Sequence, residues 1–449
     1  MINVGSGLQQ PAYDPALVTV GIAHIGPGAF HRAHQAVYVD DLLAAGQREW
    51  ALCGLGLLPG DRRLHEALPR QDHRYTVVTK HADGHVDGRS IASLVDHVYG
   101  PGDPAAVLDR LVDPRIRIVT LTITEGGYQL GPSTSDVFTY LCEGLRRRRD
   151  EGVPPFAVLS CDNVEMNGQV ARQAVAGWAE RTDPALAAWI RGEVAFPSSM
   201  VDRITPATTD ADRSLVREQW GVVDDVPVVA EPFRQWVVED QFPAGRPAWE
   251  DVGVEVVADV RPYEVMKLRL LNGGHQAMAY AGVLLGHTFV HEAGADAAVM
   301  ALLRRYLGEA ATALDPVPGF DVISYLGRLQ ERFANPQIRD TLDRICAYAS
   351  DRIPRFVLPV VERRLGAGRA SPACAAVVAT WARYLRATDE SGKTYPIIDT
   401  RRGELTRGIE LLDHPALAPV GREPAFREAV LGWLKRFDSV GVRAALQAP

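Results

Sequence analysis

Between Tyr263 and His275 the chain reads Tyr-Glu-Val-Met-Lys-Leu-Arg-Leu-Leu-Asn-Gly-Gly-His, its densest cluster of polar functional groups inside an otherwise apolar segment. On a helix turning about 100° per residue, with Lys267 at zero, Glu264 falls near 60°, His275 near 80° and Asn272 near 140°. The four share one broad face, with Gly273-Gly274 as the weak point of a continuous helix. Oxidation of an alcohol needs a base for the hydroxyl proton while hydride leaves the same carbon, and donors that stabilise the developing alkoxide. A lysine whose pKa is lowered towards working pH by burial and local fields can be that base. Asn272 and His275 can donate to substrate oxygens, and Glu264 can pass the proton to solvent. The competing reading, a surface lysine beside a helix-capping asparagine, suits a polar segment better than this one.

Tyr263 and Lys267 also spell Y-x-x-x-K, the catalytic pair of short-chain dehydrogenases. Three features oppose that reading: the chain is far longer, the pair follows the apparent cofactor domain, and the glycine turn lacks the short-chain spacing. The five cysteines (Cys53, Cys142, Cys161, Cys346, Cys374) are far apart with no C-x-x-C, and no Cys/His set has catalytic-zinc spacing. No metal and no disulfide framework are expected, and a reducing cytoplasm fits best. His31 and His34, three apart, read as helix residues near a cofactor and not as a metal pair.

A second cluster opens the chain. Residues 17–25 form an apolar, β-branched run that leads straight into Gly26-Pro27-Gly28-Ala29-Phe30-His31 and a helical pattern. A glycine turn between strand and helix lets backbone N–H groups approach a pyrophosphate at the positive helix end. Gly26, Gly28, Ala29 and Phe30 are the candidate cofactor contacts, with His31 where a third glycine usually stands. The second strand ends at Gly54-Leu55-Gly56-Leu57-Leu58-Pro59-Gly60-Asp61. An acid there hydrogen-bonds the adenosine ribose and repels a 2′-phosphate, so Asp61 predicts NAD in preference to NADP. Asp61 could instead cap the helix from Arg62, and Arg62 and Arg63 could welcome a phosphate.

The elements that must position these groups fall into two textures. Strand patterns at 17–25, 50–55, 75–79, 116–124 and 156–160 alternate with helical stretches such as 29–45, which implies a parallel, doubly wound sheet. Further strands at 226–230 and 254–260 suggest that the sheet continues past residue 200 with antiparallel additions. From about residue 261 helical patterns dominate (263–285, 292–308, 336–350, 371–387, 424–437). The expected class is α/β: a dinucleotide-binding domain over 1–260 and a mainly α-helical substrate domain over 261–449. The 449 residues are 47% hydrophobic and 23% charged, enough for two cores. A net charge of −8 disfavours nucleic acid and anionic membrane as partners. The basic run Arg146–Arg149 reads as the solvated end of a helix. Neither a transmembrane stretch nor a signal peptide is expected.

Lys267 to His275, K-x-x-x-x-N-G-G-H, resembles the signature of the mannitol dehydrogenase family, the polyol-specific long-chain dehydrogenases. Gly26 to His34, Thr124-Glu125-Gly126-Gly127-Tyr128, Cys161-Asp162-Asn163, Val201 to Pro206 and Glu231-Pro232-Phe233 are similar to that family in the same order. The resemblance spans residues 20 to 290, and the last third follows in texture alone. It implies an extended Rossmann-type domain followed by a mostly helical one, with the active site in the cleft between them. It also implies a zinc-independent reaction with Lys267 as general base, Asn163 and Asn272 on the reacting oxygen, His275 holding substrate and Glu264 gating proton exchange. Asp202 and Arg344 are implied as substrate contacts, and Glu125 and Gly126 as cofactor contacts. Asn163 could equally close the turn after strand 156–160, and Asp202-Arg203 could be a local ion pair. The expected partners are a polyol such as mannitol, arabinitol or sorbitol and its ketose, in a monomer or small homo-oligomer. A hexuronate substrate, met by a cation among Arg344, Arg352 and Arg355, is the alternative. A non-catalytic nucleotide sensor is a third reading, opposed by the intact lysine, asparagines and histidine.

Overall fold

The computed structural model describes residues 7–129, 131, 135–418 and 420–448. The chain divides into two compact units, Met1–Arg261 and Pro262–Pro449. The named strands of the described residues all lie in the first. They are β1 (Val20–Ile25), β2 (Ala51–Gly56), β3 (Tyr75–Lys80), β4 (Val86–Ile91), β5 (Leu94–Tyr99), β6 (Ile118–Leu121), β7 (Ala157–Ser160), β8 (Ser199–Asp202), β9 (Val228–Ala230), β10 (Gln235–Glu239) and β11 (Glu255–Val257).

Five strands pair in parallel in the order β5-β2-β1-β6-β7. The strand order reverses between β1 and β6, so the carboxyl ends of these two strands flank the crevice where doubly wound sheets bind ligands. Side chains alternate between two cores. Ile22, Leu52, Leu94 and Ile118 enter one, and Ala23, Ile25, Cys53, Leu55, Val119 and Leu121 the other. Burial on both faces explains the near-continuous apolar runs of these strands.

The sheet does not continue past residue 200 as the sequence suggested. β3 and β4 form an antiparallel hairpin, joined in parallel by β9. A third sheet joins β10 antiparallel to β8 and parallel to β11. The outer edge of β7 is covered by the segment leading into β8 and by its first residue: Val158 N–H donates to the Ala195 carbonyl at 2.9 Å, and the Ser199 hydroxyl to the Ser160 carbonyl at 2.6 Å. β4, β5, β8 and β10 had escaped the sequence reading. β5 carries Asp96 and His97 in its middle, which breaks the apolar pattern. Both are accommodated, Asp96 by Arg110 Nε at 2.6 Å and His97 by the ring of His65, centroids 5.4 Å apart.

The helix expected over 29–45 is two helices, Ala29–Ala33 and Gln35–Ala44, broken at His34 (φ −121°, ψ −85°). Two long-range bonds cause the break. His34 Nε2 donates to the Gln235 carbonyl at 2.8 Å, and the Arg203 guanidinium takes the Ala33 carbonyl, which a continuous helix would have used internally.

In the second unit, helix Gly273–Leu284 is buried at every position and packs against Val290–Ala295, Ala297–Ala311, Leu342–Cys346 and Pro372–Tyr384. A helix enclosed on all sides is the axis of a bundle. The helix expected over 292–308 is interrupted at Asp296, whose carboxylate caps the second piece through the Ala298 N–H at 2.9 Å. The one expected from 336 starts only at Leu342, with Thr341 as its cap. No described helix is long and apolar enough to cross a membrane, and the five cysteines are free and buried.

Candidate active site

In the first unit, β1 is followed by Gly26 at φ +84°, and a Cβ there would stand 2.4 Å from the Thr122 carbonyl oxygen just beyond β6. Only glycine fits. Gly28 differs: a Cβ would meet nothing nearer than the Gly26 carbonyl oxygen at 3.8 Å. Protein packing alone does not demand glycine there, whereas close approach of a pyrophosphate to the backbone does. The N–H groups of Ala29 and Phe30, in the first turn after Gly28, have no intrahelical acceptor. The turn therefore fits a dinucleotide.

His31 lies flat on His24 of β1, ring centroids 3.4 Å apart and planes 10° apart. Ring stacking replaces the close helix–strand contact that a third glycine ordinarily permits. Burial pushes His24 down to about 3 and His31 well below its ordinary value, so two neutral rings stack without repulsion. His34 turns instead to Gln235, so the i, i+3 pair does not converge.

Asp61 closes a 3-10 turn after β2 and lies against Gly56, where a Cβ would come within 2.6 Å of its own. Its carboxylate accepts the Leu58 N–H at 2.9 Å. It makes no side-chain cap to the helix from Arg62, so the capping alternative does not hold. Burial raises its pKa, opposed by the N–H groups of Leu58 and Leu57. Arg62 stacks over Tyr99 at 5.3 Å, and Arg63 donates to the Asp225 carbonyl at 2.8 Å.

Glu125 and Gly126 open a 3-10 turn, Glu125–Tyr128, preceded by Thr124 at φ +65°. Asp162, two residues past β7, holds this strained turn. It accepts from Ile123 N–H at 3.0 Å, Thr124 N–H at 2.8 Å and the Tyr128 hydroxyl at 2.7 Å. One buried carboxylate thus joins the Glu125 turn to Asn163, its own exposed neighbour. Sequence reasoning had Asp162 and Tyr128 only as letters of motifs; their signal was a buried acid and a tyrosine beside functional candidates. Asn167 closes this loop, donating to the carbonyls of Asp162 at 3.0 Å and Ser199 at 2.7 Å. Asp202 ends β8, buried. The neighbouring Arg203 guanidinium turns to the carbonyls of Glu231 and Ala33.

In the second unit, Lys267 ends helix Arg261–Lys267, Leu268–Asn272 form a π turn, and Gly273 continues the helix. The Gly273 N–H reaches back five residues to the Leu268 carbonyl. The glycine pair does not break the helix. A Cβ on Gly273 would stand 1.9 Å from the Tyr306 hydroxyl oxygen, so glycine admits that side chain. The turn acts as one inserted residue and rotates the helix beyond it back by about 100°. Glu264, Lys267, Asn272 and His275 then span about 80° of arc, where a regular helix would spread them over about 140°. Glu264, Lys267 and His275 are buried. His275 packs on Phe333, centroids 4.5 Å apart, and the Asn272 side-chain oxygen is buried without a hydrogen-bond partner among the described residues.

Arg344 donates from Nε to Asp340 at 2.7 Å and makes a second contact with the same carboxylate. Although burial raises the Asp340 pKa, the Arg344 bond and the charges of Arg344 and His275 hold it below the usual carboxylate value. Asp340 was missed by the sequence reading. The Tyr263 hydroxyl donates to the Pro318 carbonyl at 2.7 Å. Among the described residues no three His, Cys, Asp or Glu side chains group as a metal site.

The family model of the mannitol dehydrogenase Rossmann domain matches residues 20–251, and that of the mannitol dehydrogenase C-terminal domain matches 259–416. The chain is 44% identical over 404 residues to a mannitol 2-dehydrogenase of Cereibacter sphaeroides, covering 85% of this chain and 84% of that protein. It is 40% identical over 429 residues to a mannitol 2-dehydrogenase of Aspergillus fumigatus, covering 89% and 85%. Among solved structures, the Pseudomonas fluorescens mannitol 2-dehydrogenase ternary complex with NAD and D-mannitol has a TM-score of 0.87 at 39% identity, over 99% of this chain and 97% of that one. A substrate-free D-sorbitol dehydrogenase has a TM-score of 0.92 at 35% identity, over 99% and 98%.

Proposed function

We propose that this chain, which belongs to the mannitol dehydrogenase family, interconverts a sugar alcohol and a ketose with NAD and uses Lys267 as general base. Mannitol and fructose are the favoured pair, since a relative of the same fold at 39% identity is a complex with NAD and D-mannitol. The observation that carries the chemistry is the π turn, which draws Glu264, Lys267, Asn272 and His275 into one arc.

Gly26, Gly28, Ala29 and Phe30 hold the pyrophosphate, Asp61 the adenosine ribose, and Glu125 with Gly126 the nicotinamide end. Bound NAD supplies the hydride acceptor. Lys267 Nζ takes the proton from the reacting hydroxyl. Asn163 and Asn272 donate to the same oxygen as negative charge develops on it. His275 and Asp202 hold neighbouring hydroxyls, and Glu264 returns the lysine proton to solvent. No step asks for zinc, because lysine supplies the base and the two amides supply the electrophilic assistance. The first unit is the cofactor domain in this reading, and the second supplies the base.

A neutral substrate is favoured over a uronate by the Arg344–Asp340 pair. The carboxylate already neutralises that guanidinium, leaving it to donate to a distal hydroxyl. A panel of polyols and hexuronates, followed by absorbance of reduced nicotinamide, tests the proposal. Turnover of mannitol or a related polyol is expected, and turnover of uronates alone would overturn it. Activity should also survive exhaustive dialysis against a chelator; loss restored by added zinc would refute lysine-only catalysis.

A further inference from the structure

In the second unit, helices Ala297–Ala311, Leu358–Gly366 and Pro424–Gln447 meet the start of Pro372–Tyr384. They border an open cavity of about 660 Å³ lined by Arg305, Arg364 and Arg436, with Trp433 and Glu309. None of the residues proposed for catalysis lines it.

The charge there is unbalanced. Glu309 is the one acid of the lining, and its two oxygens accept the N–H groups of Ala373 and Cys374 at 2.8 and 2.9 Å. Arg305 donates to the carbonyls of Ala448 at 3.0 Å and Leu446 at 2.6 Å, while its Nε is buried without an acceptor among the described residues. Arg364 bonds the Ala370 carbonyl and the Thr312 hydroxyl. Arg436 and Arg305 lie over the Trp433 ring at 4.9 and 5.7 Å. None of the three guanidiniums meets a carboxylate among the described residues, whereas Arg363, one position from Arg364, pairs with Asp315.

Three guanidiniums that meet no carboxylate among the described residues repel one another across this space. A bound anion relieves that repulsion. Guanidinium forks match the oxygens of phosphate in a way ammonium groups do not, and stacking on an indole fixes their direction. The volume lies within the roughly 300–1,000 Å³ of small-molecule sites. We propose that this cavity binds a phosphate-bearing small anion through Arg305, Arg364 and Arg436 beside Trp433.

The test uses the full chain saturated with NAD, so that phosphate is not read at the cofactor turn. Thermal unfolding and tryptophan fluorescence are followed with inorganic phosphate, a hexose 6-phosphate and ATP, each against chloride at equal ionic strength. At least one should give a saturable rise in Tm with a fluorescence change, weakened at least tenfold in R305Q/R436Q and reduced in R364Q. Equal responses assign the phosphate group itself; a response confined to one probe assigns a sugar phosphate or a nucleotide. R436Q alone, at an exposed position, serves if the double variant fails to fold by circular dichroism. No saturable response in the wild-type chain, or an undiminished one in the variants, would overturn the proposal.

Discussion

The Tyr306 hydroxyl donates a 2.8 Å hydrogen bond to the carbonyl of Arg269, inside the π turn between Lys267 and Asn272. A π turn disturbs the regular backbone bonding of the helix, and here a side chain from helix Ala297–Ala311 takes one of its carbonyls. Tyr306→Phe should therefore destabilise the chain by about 1–2 kcal/mol and lower kcat with little change in the KM for NAD. Gly273→Ala, whose methyl would meet that hydroxyl, should cost about 1–3 kcal/mol, partly relieved in the double variant. Urea titration measures the stabilities, and additive losses would show that the two residues do not meet in this way.

Lys267→Ala should reduce kcat by about 10²–10⁴-fold, the usual weight of general acid–base catalysis, with NAD affinity nearly unchanged. Tyr263→Phe removes a hydroxyl that bonds Pro318 and should be mild. The opposite ranking in steady-state kinetics would restore the tyrosine mechanism.

Asp61→Ala removes the acid beside Gly56 and should narrow the ratio of kcat/KM for NAD over NADP by about tenfold, equivalent to about 1.4 kcal/mol. An unchanged ratio would exclude Asp61 from the ribose site.

Asp162→Asn leaves the side-chain volume but weakens its bonds to Thr124, Ile123 and Tyr128. Because Asp162 ties the turn that carries Glu125 to its own neighbour Asn163, the KM for NAD should rise and kcat should fall together. A variant that loses stability while both constants stay at wild-type values would make Asp162 purely structural.

The buried histidines contribute to acid sensitivity. In the unfolded chain a histidine protonates near 6.5, whereas in the fold burial holds His24 and His34 down to about 3. Between those values the unfolded state binds more protons, so stability is lost as pH falls through that window. The slope is at most about 1.4 kcal/mol per pH unit for each histidine. His31→Phe keeps a ring on His24 and removes one such group, so urea midpoints should fall less steeply from pH 6.5 to 4.5. An unchanged slope would mean that His31 is not kept neutral by the fold.

Much of the fold was legible because a strand buried on both faces is apolar along most of its length, as β1, β2, β6 and β7 are. β5 was not, because Asp96 and His97 interrupt it and their partners, Arg110 and His65, lie on other elements. The break at His34 was equally hidden, since Gln235 and Arg203 impose it from about 170 to 200 residues away.

The sequence by itself determined the chemistry at hand: which residue types stand between 263 and 275, the glycine turn after the first strand, and the family to which these belong. Residue types and spacing are local, and so are the backbone freedoms of Gly26 and Gly28. Only the tertiary structure decided how those types are aimed. A regular helix leaves Lys267 and Asn272 about 140° apart; the π turn that draws them together is supported by Tyr306, which no spacing within 263–275 encodes. In the same way Asp162 acquires its role only when β6 and β7 lie side by side, bringing Thr124 within reach of its carboxylate. Helical phase and loop strain depend on contacts between distant segments, and those exist only once the cores have packed.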